Sequence, residues 1–257
     1  MSARTPLTDL RAAAAAVSSL VASTDPDPRV KASADWTVRE TLVHLIAGAH
    51  MYADCLQGRT SPLRDMRRAT MDAFNAGSFL ALAEERSVEL ARLHTAAVER
   101  LMAAAAISDL DRTVPFHAGT SRPAAFLVTA MGTEQVLHGW DIASATRSAM
   151  ELDVEVVARL SSFFVELAPL LYRADAGLDG LSVWVTPDAG PGWGVAIQDG
   201  HAHALEEPGG AGCTVSGPPL DVMLWTSQRR PFDSTNLIAG GRDASAAGRL
   251  MSGFRAA

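Results

Sequence analysis

The chain has 257 residues, 48% of them hydrophobic, so it can bury a sizeable core, and a disordered or disulfide-built protein is excluded. Its 22 lysines and arginines against 29 aspartates and glutamates leave a formal net charge of -7. That balance argues against a nucleic acid partner, because phosphate binding needs clustered positive charge.

Cys55 and Cys213 lie far apart in unlike contexts and offer no disulfide framework, zinc ribbon or CxxC, which fits a reducing cytoplasm. No segment approaches the roughly 20 apolar residues of a membrane span, so no membrane partner is expected. Arg4 precedes an Ala/Val/Leu stretch, but Asp9 and Arg11 interrupt it, and the start reads as mature and cytosolic. Lys31 is the only lysine and alanine is abundant, a usage typical of GC-rich genomes.

Thr5, Pro6 and Asp9 open an Ala-rich helix to about Thr24, which Asp25-Pro26-Asp27-Pro28 stops, because two prolines in four residues cannot continue a helix. Thr37-Val38-Arg39-Glu40 has the form of a capping box and starts a second helix that Gly58 ends after Gln57. Residues 72–106 carry one long helical pattern, broken only by Asn75-Ala76-Gly77. Ser121-Arg122-Pro123 is read as the cap of a fourth helix reaching Arg147. Four long helices with short links suggest a bundle.

Composition changes near residues 148–151, giving an expected division into 1–149 and 150–257. A helix from Glu151 to Leu171 precedes short runs at Val183–Thr186, Gly194–Gln198, His201–Glu206 and Cys213–Ser216, read as a small antiparallel sheet. Helices at Leu220–Gln228 and Ala244–Phe254 complete an α+β second half.

The fourth helix contains Glu134 and His138 at i and i+4, about 5 to 6 Å apart at Cβ, with Asp141 further along the same stripe. The stripe continues through Met131, Ala130 and Leu127 and should face the bundle interior. Carboxylates are rarely buried unless paired or metal-bound, and His44, among Thr41, Ala47, Gly48 and Met51 on the second helix, offers a partner. His44, Glu134 and His138 would make a three-residue metal site with an open fourth position, as in catalytic zinc sites. The bland alternative is a surface ion pair or a satisfied core histidine. Of the other histidines, His50 is off the His44 face, His94 lies on a charged helix, His117 is in a loop, and His201 and His203 alternate on one face of a strand.

The run from Asp35 to Leu45, DWTVRETLVHL, resembles the second-helix motif of the DinB-like superfamily of metal-binding four-helix bundles. The run from Glu134 to Ala143, EQVLHGWDIA, is similar to the fourth-helix motif of the mycothiol-dependent maleylpyruvate isomerase family, where Glu stands in the first position of a more usual His-x3-His pair. The resemblance implies a DinB-like four-helix bundle followed by a small α+β domain resembling sterol carrier proteins. It further implies that His44, Glu134 and His138 bind Zn2+ or another divalent metal, and that the vacant position accepts the thiol of mycothiol, the low-molecular-weight thiol of actinobacteria.

One carboxylate plus one thiolate would bring a +2 ion to neutrality, and a neutral site is cheaper to bury. The thiolate would add to the double bond of a maleyl-type substrate for cis-trans isomerisation, or attack another small electrophile as an S-transferase. The run Leu224-Trp225-Thr226-Ser227-Gln228-Arg229-Arg230-Pro231 looks like the family's late helix ending in arginine, with Gln228 replacing the usual small residue. Arg229 or Arg230 would hold the substrate carboxylate, or serve only as a cation at a helix C-terminus. Asp141 would orient His138 or pair with Arg147. The competing reading is a binding protein whose second domain holds an apolar ligand near Val183, Val185, Val195, Ile197, Trp184 and Trp193. Both a monomer and a homodimer fit the sequence.

Overall fold

The computed structural model describes residues 5–24, 36–65, 67–83 and 85–255. The chain divides into two compact units, residues 1–152 and 153–257. The Asp25–Pro28 segment expected to stop the first helix lies outside the described residues.

In the first unit, α1 (Thr5–Ser23) buries Leu10, Ala13, Ala14, Val17, Leu20 and Val21, the single face that helical spacing creates. The capping box of α2 (Val38–Leu56) is present: Glu40 N donates to Thr37 Oγ1 at 3.2 Å, and Thr37 N donates to Glu40 Oε2 at 2.7 Å. Gly58 ends this helix in the left-handed region at φ +84°, while Arg59 N donates to Asp54 O.

The expected single helix over residues 72–106 is instead two, α3 (Arg68–Ala81) and α4 (Ser87–Ala106). Asn75 and Gly77 lie inside α3, and the break comes after it. Arg39 of α2 donates to the carbonyls of Leu82 at 2.6 Å and Ala83 at 2.9 Å, satisfying helix-end acceptors from outside the helix.

Ser121 is not a helix cap. Ser121–Pro123 forms strand β2, which pairs antiparallel with β1 (Thr113–Pro115), and α5 (Ala124–Thr146) begins immediately afterwards. Pro123 precedes α5 and no side chain caps it. The bundle is therefore α1, α2, α4 and α5, with α3 packed against α2. α5 is apolar nearly all round and sits centrally. At Gly139 a Cβ would fall against Met150 Sδ and 2.9 Å from Val17 Cγ2, so a larger residue would push α1 and α5 apart there.

The second unit opens with two helices where one was expected, α6 (Val154–Ser161) and α7 (Phe164–Leu171). Ser161 and Ser162 donate their hydroxyls back to Ala158 O and Arg159 O in the last turn of α6, a local competition that ends helices. The strands are β3 (Ser182–Pro187), β4 (Trp193–Gln198), β5 (His201–Leu205), β6 (Cys213–Gly217) and β7 (Ile238–Gly241), in the order β5-β4-β3-β6-β7.

The sheet is mixed and not antiparallel throughout, because after the β3-β4-β5 meander the chain returns to the free edge of β3 and β6 lies parallel to it. β7 escaped the sequence reading. It contains two glycines and an Ile238 that is 70% exposed, so no buried alternation marks it. α8 (Pro219–Thr226) packs against α6, and the last helix is short, α9 (Ala246–Leu250) followed by a 3-10 turn at Met251–Gly253. Val183, Val185, Val195, Ile197 and Trp193 are buried together with Phe164, Val222, Trp225 and Phe254 in one apolar core cluster.

Candidate metal centre

His44 projects from the middle of α2, and α5 supplies Glu134 and His138 one helical turn apart. Gly48, one turn beyond His44, packs against Met131 of α5, whose sulfur lies at ordinary contact distance, 3.6 Å, from a virtual Cβ. The two helices thus meet tightly enough for their side chains to converge. Glu134 Oε2 lies 3.1 Å from His138 Nε2 and 3.6 Å from His44 Nε2. One ligand atom from each of the three residues lies within 4.8 Å of the other two, and among the described residues this is the only group of three or more His, Cys, Asp or Glu so arranged.

The remaining ring nitrogens are engaged. His138 Nδ1 is 2.9 Å from Asp141 Oδ2, and Asp141 is 3% exposed. His44 Nδ1 is 3.0 Å from Asn75 Oδ1. Both acceptors are oxygens, so each histidine donates from Nδ1, while each Nε2 faces Glu134 as the proton donor whose place a bound metal ion would take. Burial works to raise the pKa of Glu134, but hydrogen bonds and charge from His138 and His44 outweigh it and hold the carboxyl well below its ordinary value. Two imidazole Nε2 atoms and a carboxylate, turned towards one another, are a donor set that fits a divalent ion of the zinc type, whose binding would displace the Nε2 protons.

Trp36 closes one side. Its ring lies 4.8 Å from that of His44 and 5.7 Å from that of His138, with Phe79 of α3 edge-on at 5.7 Å. Asn75, Trp36 and Phe79 were not assigned site roles from the sequence. In the sequence Asn75 reads as part of the Asn75-Ala76-Gly77 break, whereas it lies inside α3.

The other histidines take separate places. His94, expected on a charged helix, is instead fully buried between Ser18 and Gln135 on the inward face of α4. His117 sits in a short 3-10 turn, buried between Ser61 Oγ at 2.9 Å and Tyr52 Oη at 3.4 Å, and burial lowers its pKa to about 4. His50 receives a hydrogen bond from Arg100, whose other partner is Asp54. His201 and His203 are exposed on the edge strand β5, with rings 6.2 Å apart.

Cys55 and Cys213 are both buried, and burial raises the Cys55 pKa to about 11. Arg229 and Arg230 follow α8 in the second unit, where Arg230 lies 3.6 Å from Asp221, itself accepting from Asn236 N and Nδ2 at 2.8 Å each. Gln228 takes the left-handed conformation at φ +59°, which is disfavoured for a residue with a Cβ, and its amide donates to Phe254 O at 3.1 Å.

Fold and site together define a helical bundle with a His/Glu/His candidate metal centre, followed by a small α+β unit. The family model for the mycothiol maleylpyruvate isomerase N-terminal domain matches residues 5–143, and the chain belongs to this family. A crystal structure of the mycothiol-dependent maleylpyruvate isomerase has the same fold, with a TM-score of 0.60, 15% identity, and coverage of 92% of this chain and 93% of that one. A His-to-Ala mutant of that isomerase matches at a TM-score of 0.59 and 14% identity, with the same coverage. No curated protein matches the chain. No helix of the described residues is long and apolar enough to cross a membrane.

Proposed function

We propose that this protein is a zinc-dependent, mycothiol-using enzyme that carries out cis-trans isomerisation or S-transfer on a small electrophile. The observation that carries this reading is the convergence of His44 Nε2, Glu134 Oε2 and His138 Nε2 within 4.8 Å, with both Nδ1 atoms already engaged. A divalent metal bound there would hold a thiol as thiolate at neutral pH, the nucleophile both reactions require.

The chain's own residues supply the setting. Glu134 contributes the one negative charge of the ligand set, so an added thiolate completes neutrality against a +2 ion. Asp141 holds His138 in the tautomer that presents Nε2, and Trp36 covers both imidazoles and limits water at that side. Arg229 or Arg230 binds the carboxylate of a maleyl-type substrate, for which a guanidinium is the matching donor. The buried cysteines take no part.

The test is elemental analysis of purified protein with an activity screen on maleylpyruvate and haloalkyl amides, with and without mycothiol. About one zinc per chain, lost in His138→Ala, with turnover only when thiol is present, is expected. Metal-free wild type, or full metal content in His138→Ala, refutes the reading. Arg229→Ala and Arg230→Ala, tested separately, identify the substrate-binding arginine as the one whose loss raises KM for a carboxylate substrate.

A further inference from the structure

Helix α3 is held to its unit in an unusual way. Among its described side chains only Asn75 is buried, at 7% exposure, while Met71, Phe74 and Phe79 are half-buried and Leu80 is 78% exposed. Helices in globular proteins are ordered mainly by burying an apolar face, and α3 buries a polar group instead. Its intrinsic support is also weak. Arg67 gives no side-chain cap, and Gly77 sits mid-helix with nothing within 4 Å of a virtual Cβ. What ties the middle of α3 down is the 3.0 Å hydrogen bond from His44 Nδ1 to Asn75 Oδ1, beside the edge contact of Phe79 with Trp36.

We infer that Asn75 is a positioning residue for the metal centre and couples the docking of α3 to metal occupancy. The inference rests on the zinc reading above. A metal ion on His44 Nε2 requires the proton on Nδ1, the tautomer that donates to Asn75. The ion therefore strengthens the hydrogen bond that holds Asn75, the buried side chain among those described in α3. By linkage the same free energy acts in reverse, so a docked α3 raises metal affinity. Asn75 does for His44 what Asp141 does for His138, with the difference that Asp141 shares a helix with its histidine and Asn75 arrives on a separate element. Order in α3 and order in the metal site are thereby one equilibrium.

Zinc affinity, measured by competition with a chromophoric chelator, and hydrogen exchange of the α3 amides with and without zinc test this in wild type, Asn75→Leu and Asn75→Asp. In wild type, zinc should slow exchange across residues 69–81 relative to the apo protein. Asn75→Leu should lose about 10- to 100-fold in zinc affinity, the usual effect of removing an outer partner of a ligating histidine. It should also abolish the zinc-dependent protection. Asn75→Asp keeps an acceptor oxygen and should restore both, which a purely structural role would not predict.

Wild type that binds zinc with no change in α3 exchange, or Asn75→Leu that is folded by circular dichroism and keeps wild-type affinity, overturns the inference and leaves the zinc reading standing. Failure of Asn75→Asp to recover affinity overturns the positioning role. Wild type that takes up no zinc overturns both.

Discussion

Asp141 stands one turn beyond His138 on α5, and its Oδ2 accepts the Nδ1 proton of that imidazole at 2.9 Å inside the bundle. Arg147, the other partner open to Asp141 from the sequence, is exposed at the end of the helix. A carboxylate of this kind fixes the ring, selects the tautomer and makes Nε2 a better ligand. Asp141→Ala should weaken zinc binding about 10- to 100-fold, whereas Asp141→Asn, which retains an acceptor oxygen, should lose less. Chelator competition on the two variants gives the ranking, and equal affinities would remove the orienting role.

The thiol of the reaction is expected to come from the cosubstrate. Cys55 and Cys213 are both buried, and the high pKa of Cys55 keeps it a thiol at neutral pH. Cys55→Ser with Cys213→Ser should lower the melting temperature, since each places a hydroxyl in an apolar site. Mycothiol-dependent turnover of the folded double variant should persist, and its complete loss would contradict the assignment.

His117 makes stability depend on pH. Its folded pKa of about 4 lies below its ordinary value of 6.5, so between those two values the unfolded chain binds more protons than the folded one. The contribution is fully present above pH 6.5, is lost as pH falls through the window, and is flat below about 4. Its size is about 3 kcal/mol. Burial shifts His94 in the same direction. Urea midpoints from pH 7 to 4 should fall less steeply in His117→Asn than in wild type, and parallel curves would refute the assignment to His117.

Arg147 ends α5 in the left-handed conformation at φ 56°, with its N–H bonded to Ala143 O. A non-glycine residue there costs about 1 kcal/mol. Arg147→Gly should therefore stabilise the protein by about that amount, read as a rise in melting temperature of about 2 to 4 °C. A fall would indicate that the arginine side chain makes contacts worth more than the backbone cost.

What could be read from the sequence was local in origin. Thr37 and Glu40 form their capping box within four residues, and Glu134, His138 and Asp141 share a stripe because 3.6 residues make a turn. Burial offered His44 only as one candidate partner for that stripe, and the pairing rested on the resemblance of residues 35–45 and 134–143 to the family's helix motifs.

What stayed hidden depends on groups far apart in the chain. The break between α3 and α4 is sealed by Arg39, 43 residues before Leu82, and no periodicity records that bond. Asn75 looked like a helix breaker, yet it reaches His44 across 31 residues and lies inside an intact helix. Hydropathy located β6 as a strand, but its parallel place beside β3 depends on which sheet edge the chain returns to. Helical period, capping chemistry and the cost of a buried charge act over a few residues and are written in order along the chain. Tertiary packing alone decided which distant donor meets which acceptor, and so which residues stand behind the two histidines.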